Sequence, residues 1–207
     1  MPILTTPDEL WKGLTDLPLV IAPLIVFFLL KKKKDAKPEW LRAFLLLAVS
    51  AAGGVLVHCF VLPEPLRRGL WLILFVVMFE LVRSYTHRMV CFIQKREEKE
   101  WKAVRLIELA LYLAAAGMTL WIGEHGIYFF VLFCALLIVR MLVCALRHSD
   151  TPRAFWSITG VLALGLLCQA LKAVIPFGVV LGHLLVLAAL FMVYVLAREE
   201  ADEVLTI

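Results

Sequence analysis

The residues best able to do chemistry are polar ones stranded inside apolar runs. In Leu45 to Phe60, LLLAVSAAGGVLVHCF, the residues Ser50, Gly54 and His58 recur at i, i+4 and i+8, so a helix sets them along one narrow face. Such a seam has no use on a lipid-facing surface. Small residues let helices approach closely and a histidine at membrane depth needs a partner or a cavity, so this face is expected to point into a helical bundle. His183, near the start of the last apolar run, is a second histidine of the same kind. Helical rise puts His58 about 6 Å, and His183 about 6 to 8 Å, from the same face of the membrane. Asp16 at the start of the first run, Gln169 near the end of the sixth and Trp71 at the start of the third are expected at that level too. One pocket would then gather Asp16, His58, Gln169 and His183, with Trp71 close by. Ser50 and Glu80 come out deeper, about 15 to 17 Å from that face.

Imidazole is the commonest metal ligand and intramembrane ionisable groups often mark sites, so His58 and His183 are candidate metal ligands, with Asp16 or water completing the set. A closed zinc site normally uses three or four protein ligands. The competing reading has each histidine hydrogen-bonding a neighbouring helix. A haem held by the two histidines is a third reading, and no second pair at matching depth supports it. Glu80 and Arg83, at i and i+3, neutralise each other on one helix, which favours a structural ion pair over a proton relay. Glu108 stands in the same relation to Arg105. Arg140 has two fates open to it: pairing with Glu108, or snorkelling to a lipid phosphate.

The elements that must position these residues follow from composition. Of the 207 residues 63% are hydrophobic and the mean hydropathy is +0.92, above the roughly half-apolar content of soluble domains. The chain is expected to be an all-α, polytopic integral membrane protein forming a single domain over 1–207, with room for about seven spans of about 20 residues. These are expected at 17–30, 40–62, 70–88, 104–122, 127–146, 154–171 and 179–197. The first, Leu17 to Leu30, would be short at about 21 Å, with Asp16 and Pro18 capping its start and Pro23 kinking it. An acidic tail, Glu199 to Glu203, follows the last.

Of the 21 lysines and arginines, 15 fall on the side of Lys31 to Lys34, 4 on the other, and Arg83 and Arg140 within spans. The positive-inside rule then places the N-terminus outside and the C-terminus in the cytoplasm, with the plasma membrane as the expected location. The same distribution accounts for the net charge of +4 without nucleic-acid binding. Positive charge follows the first run instead of preceding it, which fits an anchor and not a cleaved signal peptide. The five cysteines show no CxxC spacing and read as small buried apolar residues.

Seven spans, with a serine and a histidine on the second and a histidine on the seventh, resemble the CREST superfamily. That group includes alkaline ceramidases, the progestin and adiponectin receptor family and uncharacterised bacterial relatives. Ser50 and His58 in SAAGGVLVH and His183 in GHLLVLAALFMVYVLARE match its elements. The run GVLALGLLCQALKAVIPFGVVLGHLLVLAAL is similar in texture to the last two spans of its small bacterial members. The resemblance implies zinc held by one histidine on span two and two in H-x3-H spacing on span seven. Here Leu187 stands where the second of that pair would fall, and span three carries no aspartate, Glu80 being its only acidic residue. What it implies is a lipid-active protein, with a metal-dependent hydrolase of a lipid amide or ester as the leading form. Water would be the nucleophile, and Ser50 or Asp16 would orient it. The alternative is a non-enzymatic receptor, small-molecule carrier or partner subunit, in which the same residues fix helix packing. Either way the expected partners are membrane lipids and a lipid or small-molecule ligand. No inverted repeat of the transporter kind is found.

Overall fold

A computed structural model describes residues 6–95, 102–122, 127–148, 151–170 and 177–203. The described chain is built of α-helices: α1 (Pro7–Lys31), α2 (Pro38–Cys59), α3 (Glu64–Gln94), α4 (Lys102–Ile122), α5 (Ile127–Arg147), α6 (Arg153–Ala170) and α7 (Gly178–Glu203). Among the described residues, five helices are long and apolar enough to cross a membrane, namely α1, α2, α4, α5 and α7, with mean hydropathies of 1.6 to 2.8. A multi-pass membrane protein follows from them, since only a helix satisfies every backbone group within lipid without a partner strand. α3 is not among the five; Glu64, Arg67, Arg68, Glu80, Arg83 and Arg88 are spread along it.

Three elements differ from expectation. α1 has 25 residues, about 37 Å of helix, because Pro7 at the first helical position starts it ten residues before Leu17. Asp16 is therefore no cap: it lies within the helix and is only 7% exposed. Pro18 and Pro23 both lie inside α1. Lacking an N–H, they leave the carbonyls of Leu14 and Leu19 without their helical donor.

α3 likewise starts early, at Glu64, with a proline in its first turn. The Glu64 carboxylate accepts from Arg68 Nε at 2.8 Å and Arg67 Nε at 3.2 Å. The Arg68 hydrogen bond first, and then the charge of Arg67, hold that carboxyl below its usual range. The helix ends where Lys95 turns left-handed (φ 51°) and returns its N–H to the carbonyls of Cys91 and Phe92. α7, finally, runs on through the acidic tail to Glu203.

The chain divides into two compact units. In the first (1–61 and 152–207), α1 packs against α2 and α7, and α6 packs against α7. The acidic end of α7 ties this unit together: Lys33 Nζ lies 2.7 Å from Asp202 Oδ1, and Trp40 Nε1 donates to Glu200 Oε2 at 2.8 Å. In the second (62–151), α3, α4 and α5 pack on one another around Phe75, Phe79 and Phe133, with the last two rings 4.8 Å apart. All five cysteines are free, and all but Cys134 are buried.

Candidate functional site

The polar centre of the first unit is assembled by α1. Two glycines let it approach α2. A Cβ on Gly13 would lie 2.3 Å from Cys59 Sγ, and one on Gly54 would lie 2.4 Å from Asp16 Oδ2. The carboxylate of Asp16 thus occupies the space that a side chain at Gly54 would need. The face of Ser50, Gly54 and His58 meets α1 at two of its three positions: Gly54 under Asp16, and His58 with Nδ1 2.7 Å from Glu9 Oε2. Ser50 does otherwise, donating to the carbonyl of Leu47 in its own helix at 3.3 Å.

From α7, His183 places Nδ1 2.8 Å from Thr15 Oγ1 and 3.5 Å from Asp16 Oδ1. Donor counting fixes the direction of these contacts. Thr15 Oγ1 donates its single proton to the carbonyl of Lys12 at 2.8 Å, and a carbonyl can only accept. The hydroxyl must therefore accept from His183, which puts a proton on Nδ1. In the neutral imidazole Nε2 then carries the lone pair, so it is the nitrogen able to act as a base or ligand. His58 follows the same logic, because an ionised Glu9 carboxylate accepts only. Glu9 is also paired with the Lys12 ammonium.

Beside His183 a cavity of about 160 Å³ lies between α1 and α7. Leu14, Pro18, Leu19, Leu184 and Leu187 wall it together with Trp11, while Thr15 and His183 bring polar groups to it. Leu187, the position where the resemblance would place another histidine, is groove wall.

Of the residues singled out by sequence, Asp16, His58 and His183 meet around α1. Gln169 lies in α6 with its side chain outside the described residues. Trp71 and Glu80 belong to the second unit. There the Trp71 ring lies 5.7 Å from that of Phe75, and Glu80 pairs with Arg83 and accepts from Ser84 at 3.4 Å. Arg83 Nε also lies 2.8 Å from Glu108 Oε2, so the intrahelical pair is extended to a second helix. Sequence reading missed Glu9, Lys12 and Thr15 by starting the helix too late. The signal was present in proline followed by two acidic residues, a helix N-terminal signature.

Among the described residues no three His, Cys, Asp or Glu side chains gather closely enough to hold a metal ion. The donors meet as pairs, Glu9 with His58 and Asp16 with His183, which is not the three-histidine set for zinc that the resemblance implies.

Residues 12–202 match the model of a family of unknown function, DUF6962. The chain belongs to this family. The matched part of this DUF6962 protein takes in Thr15, Asp16, Gly54, His58 and His183, and leaves Glu9 outside. No curated protein and no solved structure matches it.

Proposed function

We propose that the protein is a CREST-like, lipid-active membrane protein that hydrolyses a lipid amide or ester at the α1–α7 groove. The observation that supports this is the adjacency of an apolar groove to His183, whose Nδ1–H is committed to Thr15 and Asp16 while Nε2 carries the lone pair. The groove suits an acyl chain, and the imidazole stands at its polar end. Water adds its oxygen to the acyl carbon and gives its proton to Nε2 of His183. That proton then leaves with the departing amine or alcohol. Asp16 stabilises the imidazolium formed in between, the role a buried carboxylate plays behind a catalytic histidine. In this proposal all seven helices span the plasma membrane, with the N-terminus outside and the C-terminus in the cytoplasm.

A second reading, a non-enzymatic receptor, carrier or partner subunit, is favoured by one feature. The Asp16 carboxylate packs into the space over Gly54, which is what a helix clasp requires.

The test incubates detergent-purified protein with N-acyl sphingosine and with lysophospholipid, and measures released fatty acid. His183→Ala is expected to lower turnover by about 10²-fold or more while the protein stays folded. Wild-type turnover retained in His183→Ala would overturn the assignment, and saturable lipid binding without release would establish the second reading. Metal content measured beside His58→Ala and His183→Ala closes the remaining question. Stoichiometric zinc lost from both variants would replace the metal-free mechanism with a zinc-dependent one.

A further inference from the structure

A second groove, of about 290 Å³, lies in the other unit between α4 and α5, both of them helices apolar and long enough to cross a membrane. Its walls are Val104, Ile107, Phe133, Leu136 and Leu137, and among the described residues the charged one lining it is Arg140. Arg140 lies seven residues before the end of α5, about 10 Å along the helix. Lys102 and Arg105 at the start of α4 and Arg147 at the end of α5 are exposed, and Ala103, Val104 and Arg140 line the groove together, which sets the start of α4 beside the last two turns of α5. Among the described residues the carboxylate nearest in sequence to this end of α4 is Glu108, which Arg83 engages at 2.8 Å. Among the described residues, the charged side chains at this end of the groove, Lys102, Arg105, Arg140 and Arg147, are thus basic.

We infer that this groove holds an anionic phospholipid, with an acyl chain against Ile107, Phe133 and Leu136 and the phosphate on Arg140. A guanidinium has five donors in a planar fork that matches phosphate oxygens in pairs, so it can serve a protein partner and a phosphate together. Its long stem lies along apolar surface while the head reaches toward the interface. Lys102, Arg105 and Arg147 add attraction at short range, which a zwitterionic headgroup does not reward to the same extent. The apolar walls distinguish this place from a merely basic loop, because they give the lipid chain a defined seat. This inference needs α4 and α5 in a membrane and is independent of the groove and histidines of the first unit.

The experiment is native mass spectrometry of the full chain in non-ionic detergent, titrated with phosphatidylglycerol and with phosphatidylcholine of identical acyl chains. Wild type is expected to retain phosphatidylglycerol preferentially, and Arg140→Gln to bind it about five- to tenfold more weakly with phosphatidylcholine little changed. Arg140→Lys, which keeps the charge and loses the fork, is expected between the two. Leu136→Trp, which fills the groove and leaves every charge in place, is expected to weaken both lipids. Equal retention of the two lipids by wild type, or unchanged phosphatidylglycerol binding in both Arg140→Gln and Leu136→Trp, would overturn the inference.

Discussion

In the second unit one buried charge is Arg83, its side chain 7% exposed, held by Glu80 on its own helix and Glu108 on α4. In the first unit the buried acidic side chain among the described residues is Asp16, set over Gly54 and facing a hydroxyl and an imidazole. Both arrangements give a polar group held away from water a partner. The partners differ. A guanidinium keeps its protons at any ordinary pH, so the Arg83 cluster is a fixed lock between helices. An imidazole is the side chain whose ordinary range lies nearest neutrality, and the proposed hydrolysis assigns the moving proton to the His183 beside Asp16.

The strongest way to break that contrast is Arg83→Ala. It leaves two carboxylates facing a vacated space, and removing one partner of a buried pair costs about 3–5 kcal/mol. Thermal unfolding in detergent should show a large loss of stability, partly recovered when Glu108→Gln is added. If Arg83→Ala melts like wild type, the cluster is not a lock.

Gly54→Ala is next. Its Cβ would meet Asp16 Oδ2 at 2.4 Å, and forcing an extra carbon into a packed interface costs about 1–3 kcal/mol. Adding Asp16→Ala should restore much of that loss, because the conflict is with the carboxylate. A double-mutant cycle in unfolding free energy measures this, and strict additivity would show that Asp16 does not occupy the space over Gly54. The same cycle sharpens the comparison when read in turnover: Asp16→Ala should stay impaired even where stability is recovered.

The smallest effect is expected at Lys33→Ala. Its partner Asp202 and Lys33 itself are both more than a third exposed, and such pairs are worth about 0–1 kcal/mol. A shift in melting temperature larger than that of Gly54→Ala would mean that the closure of α7 on α1 matters more than the polar centre does.

Hydropathy and charge spacing were enough to show helices of membrane-crossing length, because an apolar run of sufficient length leaves the backbone no other way to satisfy its hydrogen bonds in lipid. Period alone also showed that Gly54 and His58 face a neighbour, and that Glu80 pairs with Arg83, since i, i+3 and i, i+4 relations are local geometry. Which neighbour they face was beyond such reasoning. Ser50 shares the face of His58 and yet bonds to its own helix, and nothing in its spacing distinguishes it from Gly54. Glu9 and Thr15 lie outside the expected first span, and it is Pro7, starting the helix ten residues earlier, that brings them into α1. The meeting of α1 with both α2 and α7 joins residues 49 and 168 positions apart, Glu9 to His58 and Thr15 to His183. Periodicity carries no information over such separations. Only packing decides them, through where two glycines permit close approach and which side chain then fills the space.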